Sequence, residues 1–279
     1  MSERVAIVIP VYKRELAWNE EISFRQTLRV LGNHPIIMVC PETLDLAKYN
    51  AIAGEYNRTI YLESFEDRYF ANIAGYNRLL LSEEFYARFE RYEYILIAQL
   101  DTYVFRDELT EWCNKGYDYI GAPLFGAKWD AEKYVQYGQV GNGGLSLRRV
   151  VAYLNFFRGN QLVVPLNKIA ERIRIQNKIY TRWLVWILMA FGWRNKPHSY
   201  AKYCHSNEDG FWSITLDGTN YELTKPSVEE ALEFAWERFP SDIYKKVGHL
   251  PMGCHAWEKY EYESFWNKYL IDENLSNIL

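Results

Sequence analysis

The 279-residue sequence predicts an α/β protein in which helices flank a mixed, mainly parallel sheet, and two observations support that prediction. Short apolar runs rich in β-branched residues alternate with segments of helical periodicity from the first residues onward, an order typical of doubly wound sheets. Several runs stop abruptly, at Pro10, Pro41 and Asp101. Ligands of such sheets bind beyond the carboxyl ends of the strands, so these three positions mark the predicted ligand-binding edge.

The strongest elements lie in the first half of the chain. Residues 5–9 form a continuous β-branched run, which is typical of a parallel strand buried on both faces. The pattern then predicts a helix over 24–32, strands over 36–40 and 59–62, a helix over 72–89 and a strand over 94–100.

The second half of the chain is less regular. It predicts short strands over 118–123 and 145–147 and helices over 227–238 and 257–270. No internal repeat or low-complexity linker divides the sequence, so we interpret residues 1–279 as a single domain.

Composition excludes several classes of protein. Hydrophobic residues make up 49% of the chain, as in globular proteins, and the net charge of −4 argues against a nucleic-acid binder. The cysteines form no CxxC pair, so neither a zinc ribbon nor a redox motif is predicted. The first strand follows Arg4 directly, without a signal-peptide core, which predicts a reduced cytoplasmic protein.

The clearest candidate site is the acid that follows the strand over 94–100. This strand delivers Gln99 and Asp101 at its carboxyl end. A carboxylate held rigidly there can anchor a divalent ion that bridges two phosphates. An aspartate that merely caps a turn or helix is the alternative, and the segment alone leaves both open.

Three further segments contain candidate functional residues. Gly141-Asn-Gly-Gly144 has three glycines in four positions, which suits close approach of backbone to a ligand or simply a tight turn. Glu208 and Asp209 are either a helix N-terminus or a source of a general base. His249 and His255 stand in a Gly/Pro-rich loop with Cys254, and two histidines there favour a metal site over purely structural roles.

The order of these motifs resembles an uncharacterised bacterial group of GT-A-like proteins, GT-A being a Rossmann-like fold of nucleotide-sugar glycosyltransferases. The likeness covers nearly the whole chain. It aligns Asp101 with the second acid of the Asp-x-Asp motif, while Gln99 replaces the first and becomes a hydrogen-bonding residue. It implies Asp101 and His255 as ligands of a divalent metal (Mn²⁺ or Mg²⁺), with His249 as the alternative.

The resemblance also implies a reaction. A sugar moves from a nucleotide donor, most simply a uridine diphosphate sugar, to a hydroxyl of a glycan or lipid-linked acceptor. Asp209 is the expected general base and Glu208 its acceptor-orienting neighbour, with inversion favoured. Residues 1–125 are the expected nucleotide-binding half and residues 126–279 the half for the donor sugar and acceptor. The expected donor contacts are Pro10, Val11, Tyr12, Lys13, Asn77, Arg78, Gln99, Asn142, Gly143 and Gly144.

An insertion over residues 167–200 suggests a membrane contact. Trp183 to Phe191 is a run of apolar residues too short to cross a bilayer, which takes about 20. Basic residues flank it, as in interfacial helices on anionic membranes. A buried helix with solvated ends is the alternative. With a lipid-linked acceptor, the membrane interpretation predicts a peripheral protein on the inner face of the cytoplasmic membrane, acting in surface polysaccharide or glycolipid assembly.

Two other functions remain open at this point. A sugar nucleotidyltransferase would be expected to carry a Gly-rich, Lys-containing loop after the first strand, and Pro10-Val-Tyr-Lys-Arg14 has no glycine. A non-catalytic sugar-binding or membrane scaffold protein could share the same sheet.

Overall fold

The computed structural model describes residues 3–125, 139–175 and 180–270. Its strands, in chain order, are β1 (Glu3–Pro10), β2 (Ile36–Pro41), β3 (Ile60–Phe65), β4 (Tyr92–Ala98), β5 (Thr102–Val104), β6 (Tyr119–Gly121), β7 (Pro123–Leu124), β8 (Gln139–Val140), β9 (Leu145–Arg149), β10 (Ala235–Trp236) and β11 (Gly253–His255).

The helices surround these strands. They are α1 (Trp18–Leu31), α2 (Ala47–Glu55), α3 (Ile73–Leu80), α4 (Glu83–Arg88), α5 (Leu109–Asn114), α6 (Val150–Arg158), α7 (Leu166–Ile175), α8 (Tyr180–Ala190), α9 (Pro197–Lys202), α10 (Val228–Phe234) and α11 (Pro240–Val247). A single helical turn, Glu208–Gly210, continues into a π-helix, Phe211–Thr215, and 3₁₀ turns lie at Asp67–Tyr69 and Trp266–Lys268.

The main sheet has six strands in the order β3-β2-β1-β4-β9-β6. The first four are parallel, and β9 is antiparallel to both β4 and β6, so the predicted mixed, mainly parallel sheet is confirmed. Ile7 and Ile9 of β1 pack into the core on one face, whereas Ala6 and Val8 pack into the core on the other. Burial on both faces explains why this strand is a continuous apolar run.

The order of the strands determines where the ligand-binding crevice lies. The chain winds from β1 outward through β2 to β3 and then returns to form β4 on the other side of β1. The order of the strands thus reverses between β1 and β4, which opens a crevice at the carboxyl ends of these two strands. Pro10 ends β1, and Gln99 and Asp101 follow β4 directly.

A smaller sheet, in the order β10-β11-β5, brings the end of the chain to the same edge. Strand β11 is antiparallel to β5, with His255 opposite Thr102. The amide of Ala256 donates a 2.8 Å hydrogen bond to the carbonyl of Asp101. This pairing places His255 beside Asp101 although the two are far apart in sequence.

Four predicted helices were wrong in extent, and the one predicted over 24–32 begins six residues earlier, at Trp18. The predicted helix over 72–89 is two helices, because the Ser82 side chain accepts a hydrogen bond from the Phe85 amide and starts α4. The helix predicted over 227–238 ends at Phe234, where β10 begins and pairs with β11. The predicted helix over 257–270 contains only a 3₁₀ turn, since Ala256 and Glu261 adopt positive φ values of 51° and 58°.

Helix α8 contradicts the interpretation of residues 167–200 as a buried helix. Four of its apolar side chains, Leu184, Val185, Ile187 and Leu188, are exposed, and so is Phe191 directly after the helix. Phe191 reaches 86% exposure. Among the described residues, no helix combines the length and apolar character needed to cross a bilayer. Outside the described side chains lie Trp183 and four of the flanking basic residues, Arg172, Arg174, Lys178 and Arg182.

Candidate active site

A cavity of about 520 Å³ opens at the carboxyl ends of β1 and β4. This volume lies within the range of small-molecule sites, about 300–1,000 Å³. Its walls come from the end of β1, the start of α1, the start of α3, the loop after β4 and the C-terminal region. The lining residues include Pro10, Tyr12, Tyr76, Gln99, Asp101 and Lys259.

Asp101 lies on the cavity wall between two cationic side chains. Its Oδ1 is 3.2 Å from Nε2 of His255, and its Oδ2 is 3.2 Å from Nζ of Lys259. On the other side of the imidazole, Nδ1 of His255 lies 3.4 Å from Oε1 of Glu237, within ion-pair range but long for a hydrogen bond. Asp101, His255 and Glu237 therefore form a row with the imidazole in the centre.

The charges of this row and of Lys259 shift the pKa values of Asp101 and His255. Burial alone would raise the pKa of Asp101, but the hydrogen bonds and charges of His255 and Lys259 outweigh it and lower that pKa to about 2. Burial would likewise lower the pKa of His255, yet its contacts with Asp101 and Glu237 raise that pKa to about 9. Asp101 is thus an ionised carboxylate at neutral pH.

Asp101 and His255 have the spacing that two ligands of one divalent ion require, and the imidazole would lose its proton on binding the metal. Adjacent ligands of an octahedral ion lie about 3 Å apart when each is about 2.1 Å from the metal. Oδ1 and Nε2 are 3.2 Å apart, and Glu237 occupies the outer position that commonly orients a metal-binding histidine. Within the described residues no group of three His, Cys, Asp or Glu side chains forms a metal cluster. Phosphates and water would therefore have to supply the other ligands, as is common for Mg²⁺.

The glycine turn connects this row to the second pair of acids. A Cβ atom on Gly144 would lie 2.2 Å from Nε2 of His255, so only glycine lets the imidazole pack against the backbone here. A Cβ atom on Gly143 would lie 2.7 Å from Oε1 of Glu208 and 3.0 Å from Cβ of Asp209. Consecutive glycines thus contact His255 on one side and the acid pair on the other.

Glu208 is buried in an ion pair with Arg148 of β9. The guanidinium of Arg148 is fully buried and donates to both carboxylate oxygens of Glu208, at 2.8 and 2.9 Å. It also donates to the Tyr86 hydroxyl and to Ser146 Oγ, both at 3.0 Å. Complete burial raises the pKa of Glu208, and Arg148 opposes that rise. Because both oxygens are engaged, Glu208 holds its segment in place and has no free oxygen for an acceptor.

Asp209 differs from its neighbour because it is partly exposed. One carboxylate oxygen accepts a 2.7 Å hydrogen bond from the Gly210 amide. The carbonyl of Asp209 accepts from Ser213 Oγ at 2.6 Å, and Asn77 Oδ1 accepts from the Glu208 amide at 2.9 Å. Asp209 also lies two residues before the π-helix, and π-helical turns are frequent at functional sites. Its second oxygen has no partner among the described residues, which leaves it available as a proton acceptor.

The predicted donor contacts divide into two groups. Pro10, Tyr12 and Gln99 line the cavity. Val11 is fully buried with its amide bound to the Val39 carbonyl, and Lys13 forms a 2.7 Å ion pair with Glu20.

The remaining predicted contacts lie outside the cavity wall. Asn77 joins α3 to the segment at Asn207 and Glu208, and Arg78 is exposed. Asn142 is buried, and its Oδ1 accepts from the Gly144 amide at 3.0 Å, so it shapes the glycine turn. His249, the alternative ligand, pairs instead with Glu233 at 3.4 Å.

Sequence reasoning missed three residues of the site. Lys259 follows His255 by four positions and could have been found by extending the Gly-Cys-His-Ala-Trp motif. Glu237 stands in no motif, and only the pairing of β10 with β11 brings it near His255. Tyr76 belongs to the helix predicted over 72–89, and only the fold shows that its buried hydroxyl lies at the cavity beside Gln99.

Comparisons with known proteins give one family and several distant structures. Residues 59–255 match the family described as "Protein of unknown function (DUF5672)". No curated protein matches the chain.

The structures are similar at low identity. TarS residues 1–349 from S. aureus are 12% identical with a TM-score of 0.35, covering 58% of this chain, which spans 50% of that structure. Core-mannan synthase A from Aspergillus fumigatus, in a Mn/GDP form, is 11% identical with a TM-score of 0.38, covering 74% and 71% of the two chains. The galactosyltransferase LgtC with donor and acceptor sugar analogues is 12% identical with a TM-score of 0.49, covering 90% and 86%.

Proposed function

This chain belongs to the family described as "Protein of unknown function (DUF5672)", and we propose that it is a glycosyltransferase using a nucleotide-sugar donor and a hydroxyl acceptor. The observation that supports this proposal most is the Asp101–His255 pair, because Asp101, directly after β4, lines a cavity large enough for a nucleotide.

The cavity is the proposed donor site. Asp101 and His255 would hold Mn²⁺ or Mg²⁺, which supplies neutralisation of the charge that develops on the departing diphosphate. Lys259 adds a second positive charge at the same wall, so this chain itself contributes to binding the diphosphate. Tyr12, which is 61% exposed, offers an aromatic face for the base, and uridine is our choice of base.

Asp209 is the proposed general base. Its free carboxylate oxygen accepts the proton of the acceptor hydroxyl as that oxygen attacks the anomeric carbon. The contact of Gly143 with Asp209, next to the contact of Gly144 with His255, supports a short path between base and donor. We propose inversion because a separate base is available for direct displacement.

Replacing Asp101 by Asn is expected to abolish metal-dependent donor binding. The amide cannot supply the negative charge that balances a divalent ion, so donor affinity in the presence of Mn²⁺ falls at least tenfold. Thermal stabilisation of the protein by UDP-sugars, with and without Mn²⁺, measures this change. Asp107→Asn is the matched control, because Asp107 pairs with His34 at 2.9 Å away from the cavity lining.

Donor stabilisation together with turnover assays discriminates the other two functions. A scaffold protein would show no donor stabilisation and no donor turnover in either wild type or the Asp101→Asn variant. A sugar nucleotidyltransferase would release pyrophosphate from a nucleoside triphosphate and a sugar phosphate. Either result would contradict the glycosyltransferase proposal.

We also propose that α8 makes a peripheral contact with an anionic membrane. Leu184, Val185, Ile187 and Leu188 present apolar surface to solvent, and Phe191 follows them. In flotation, the wild type is expected to rise with phosphatidylglycerol vesicles and to stay below with neutral phosphatidylcholine vesicles. Ile187→Glu places a charge in the apolar surface and is expected to reduce flotation. If wild type ignores both vesicle types, this contact does not exist.

A further inference from the structure

A second groove, of about 390 Å³, lies on the segment that leads to Asp209. Its walls include Arg194, Tyr203, His205, Ser206 and Thr215. The residues that line it include no aspartate or glutamate. The groove is therefore a cationic and hydroxyl-bearing surface in a protein whose overall charge is negative.

Arg194 is the central group of this groove. Its guanidinium carbon lies 4.0 Å from the centre of the Tyr203 ring and 4.5 Å from that of Trp193. Within the part of the chain that is described, no hydrogen bond or ion pair engages this guanidinium. Rings that contact its faces leave the N–H groups at its edges free, and these are the groups that bind phosphate oxygens in pairs.

The backbone of Arg194 supports this interpretation. Its φ of 51° lies in the left-handed region, which costs a residue with a side chain free energy unless its surroundings stabilise the conformation. Arg158, another exposed arginine, pairs with the acids Glu83 and Glu90. Arg194 is held in a strained conformation over two aromatic rings and pairs with no acid in the described residues.

Hydroxyl groups complete the surface beside Arg194. Ser206 Oγ lies 2.9 Å from Cys204 Sγ and 3.4 Å from Thr215 Oγ1. Thr215 Oγ1 in turn donates to the Gly210 carbonyl at 3.3 Å, so the groove is connected to the turn that contains Asp209. Neutral donors next to a guanidinium are typical of phosphate sites.

We infer that the Arg194 groove binds a phosphate group, and that this phosphate belongs to the acceptor or to the lipid surface that presents it. The assignment of this phosphate to the acceptor deepens the proposed function and rests on it, whereas phosphate binding by the groove does not. Most of the residues that line the groove, from Arg194 to Ser206, follow the exposed apolar helix α8 and precede the proposed base Asp209 in the chain. The hydrogen bond from Thr215 to the Gly210 carbonyl connects the groove to the residue next to Asp209, which supports a phosphate held there as part of the acceptor.

Binding of two phosphate sources tests this inference. The soluble source is glycerol 3-phosphate, followed by ³¹P NMR titration, and the membrane source is a phosphatidylglycerol vesicle, followed by flotation. Arg194→Met removes the charge and keeps much of the apolar stem, and Arg194→Lys keeps the charge. Arg91→Met is the matched control, because Arg91 also stacks on a tyrosine, Tyr92, at 4.8 Å.

The Arg194→Met variant is expected to bind either glycerol 3-phosphate or the phosphatidylglycerol vesicle at least tenfold more weakly than the wild type does, because hydrogen bonds to a charged group are lost. A loss confined to glycerol 3-phosphate assigns the phosphate to the acceptor, and a loss confined to vesicles assigns it to the lipid surface. Arg194→Lys is expected to retain part of the affinity, and Arg91→Met all of it.

Equal binding by wild type and Arg194→Met in both arms overturns the inference, as does absence of binding by the wild type. Donor stabilisation with Mn²⁺ is measured on the same variants and separates this result from the proposed function. If donor stabilisation persists while phosphate binding fails, only the groove assignment is wrong. If phosphate binding depends on Arg194 and no donor binds, only the glycosyltransferase proposal is wrong.

Discussion

Replacing Glu208 by Gln is expected to lower the free energy of unfolding by about 3–5 kcal/mol, the usual cost of removing one partner of a buried ion pair. Arg148 remains charged in every folded state, because a guanidinium does not lose its proton in proteins. The variant would leave that charge fully buried without a carboxylate to balance it, with Tyr86, Ser146 and one neutral amide oxygen as hydrogen-bond acceptors. Urea denaturation followed by tryptophan fluorescence measures the difference.

Glu90→Gln is the matched control for this experiment. Glu90 also accepts two hydrogen bonds from one guanidinium, that of Arg158, at 2.6 and 3.0 Å, but this pair is exposed. Water solvates the remaining arginine there, so a much smaller change is expected. Equal effects of the two substitutions would show that the Arg148–Glu208 contact is not a buried charge pair.

The Arg148–Glu208 pair also shows what the sequence could not reveal. The adjacent acids Glu208 and Asp209 were recognisable as a candidate site, but the sequence does not say which one faces a ligand. The difference arises because Arg148 is buried on β9 and takes both oxygens of Glu208. A partner sixty residues away is supplied by tertiary packing, which no local pattern records.

The sheet was more predictable than the helices for a related reason. Strands buried on both faces, such as β1, β2 and β4, leave continuous apolar runs that are visible in a single sequence. The segment after His255 is rich in aromatic residues with helical spacing, yet Trp257 and Trp266 are buried in a chain that turns at positive φ. Packing of large rings overrides helical periodicity there.

The candidate metal site was predictable in part. Asp101 could be identified because a strand ends there, and His255 because a resemblance supplied it. Glu237 could not, since its place beside His255 depends on the pairing of β10 with β11. His255 packs so closely against Gly144 that a side chain would not fit there, so the glycine turn has a structural role. A sequence pattern for ligand-binding loops does not reveal that role.

Replacing Asp209 by Asn is expected to reduce glycosyl transfer by a factor of about 10²–10⁴, the usual contribution of a general base. The amide has nearly the same size but cannot accept the proton of the attacking hydroxyl. Stabilisation by donor and Mn²⁺ is expected to stay unchanged, because Asp209 does not line the donor cavity. Single-turnover transfer to an acceptor and thermal stabilisation by the donor are measured on the same preparation.

Asp217→Asn is the matched control, because Asp217 follows the same π-helix and pairs with Lys225 at the surface. Full transfer activity in the Asp209 variant would contradict its role as the base, and Glu208 could not replace it, since both its oxygens accept from Arg148. Loss of transfer in the Asp209→Asn protein, with donor binding intact, therefore separates proton removal from donor capture. That separation is expected only if Glu208 anchors the segment while Asp209 performs the chemistry.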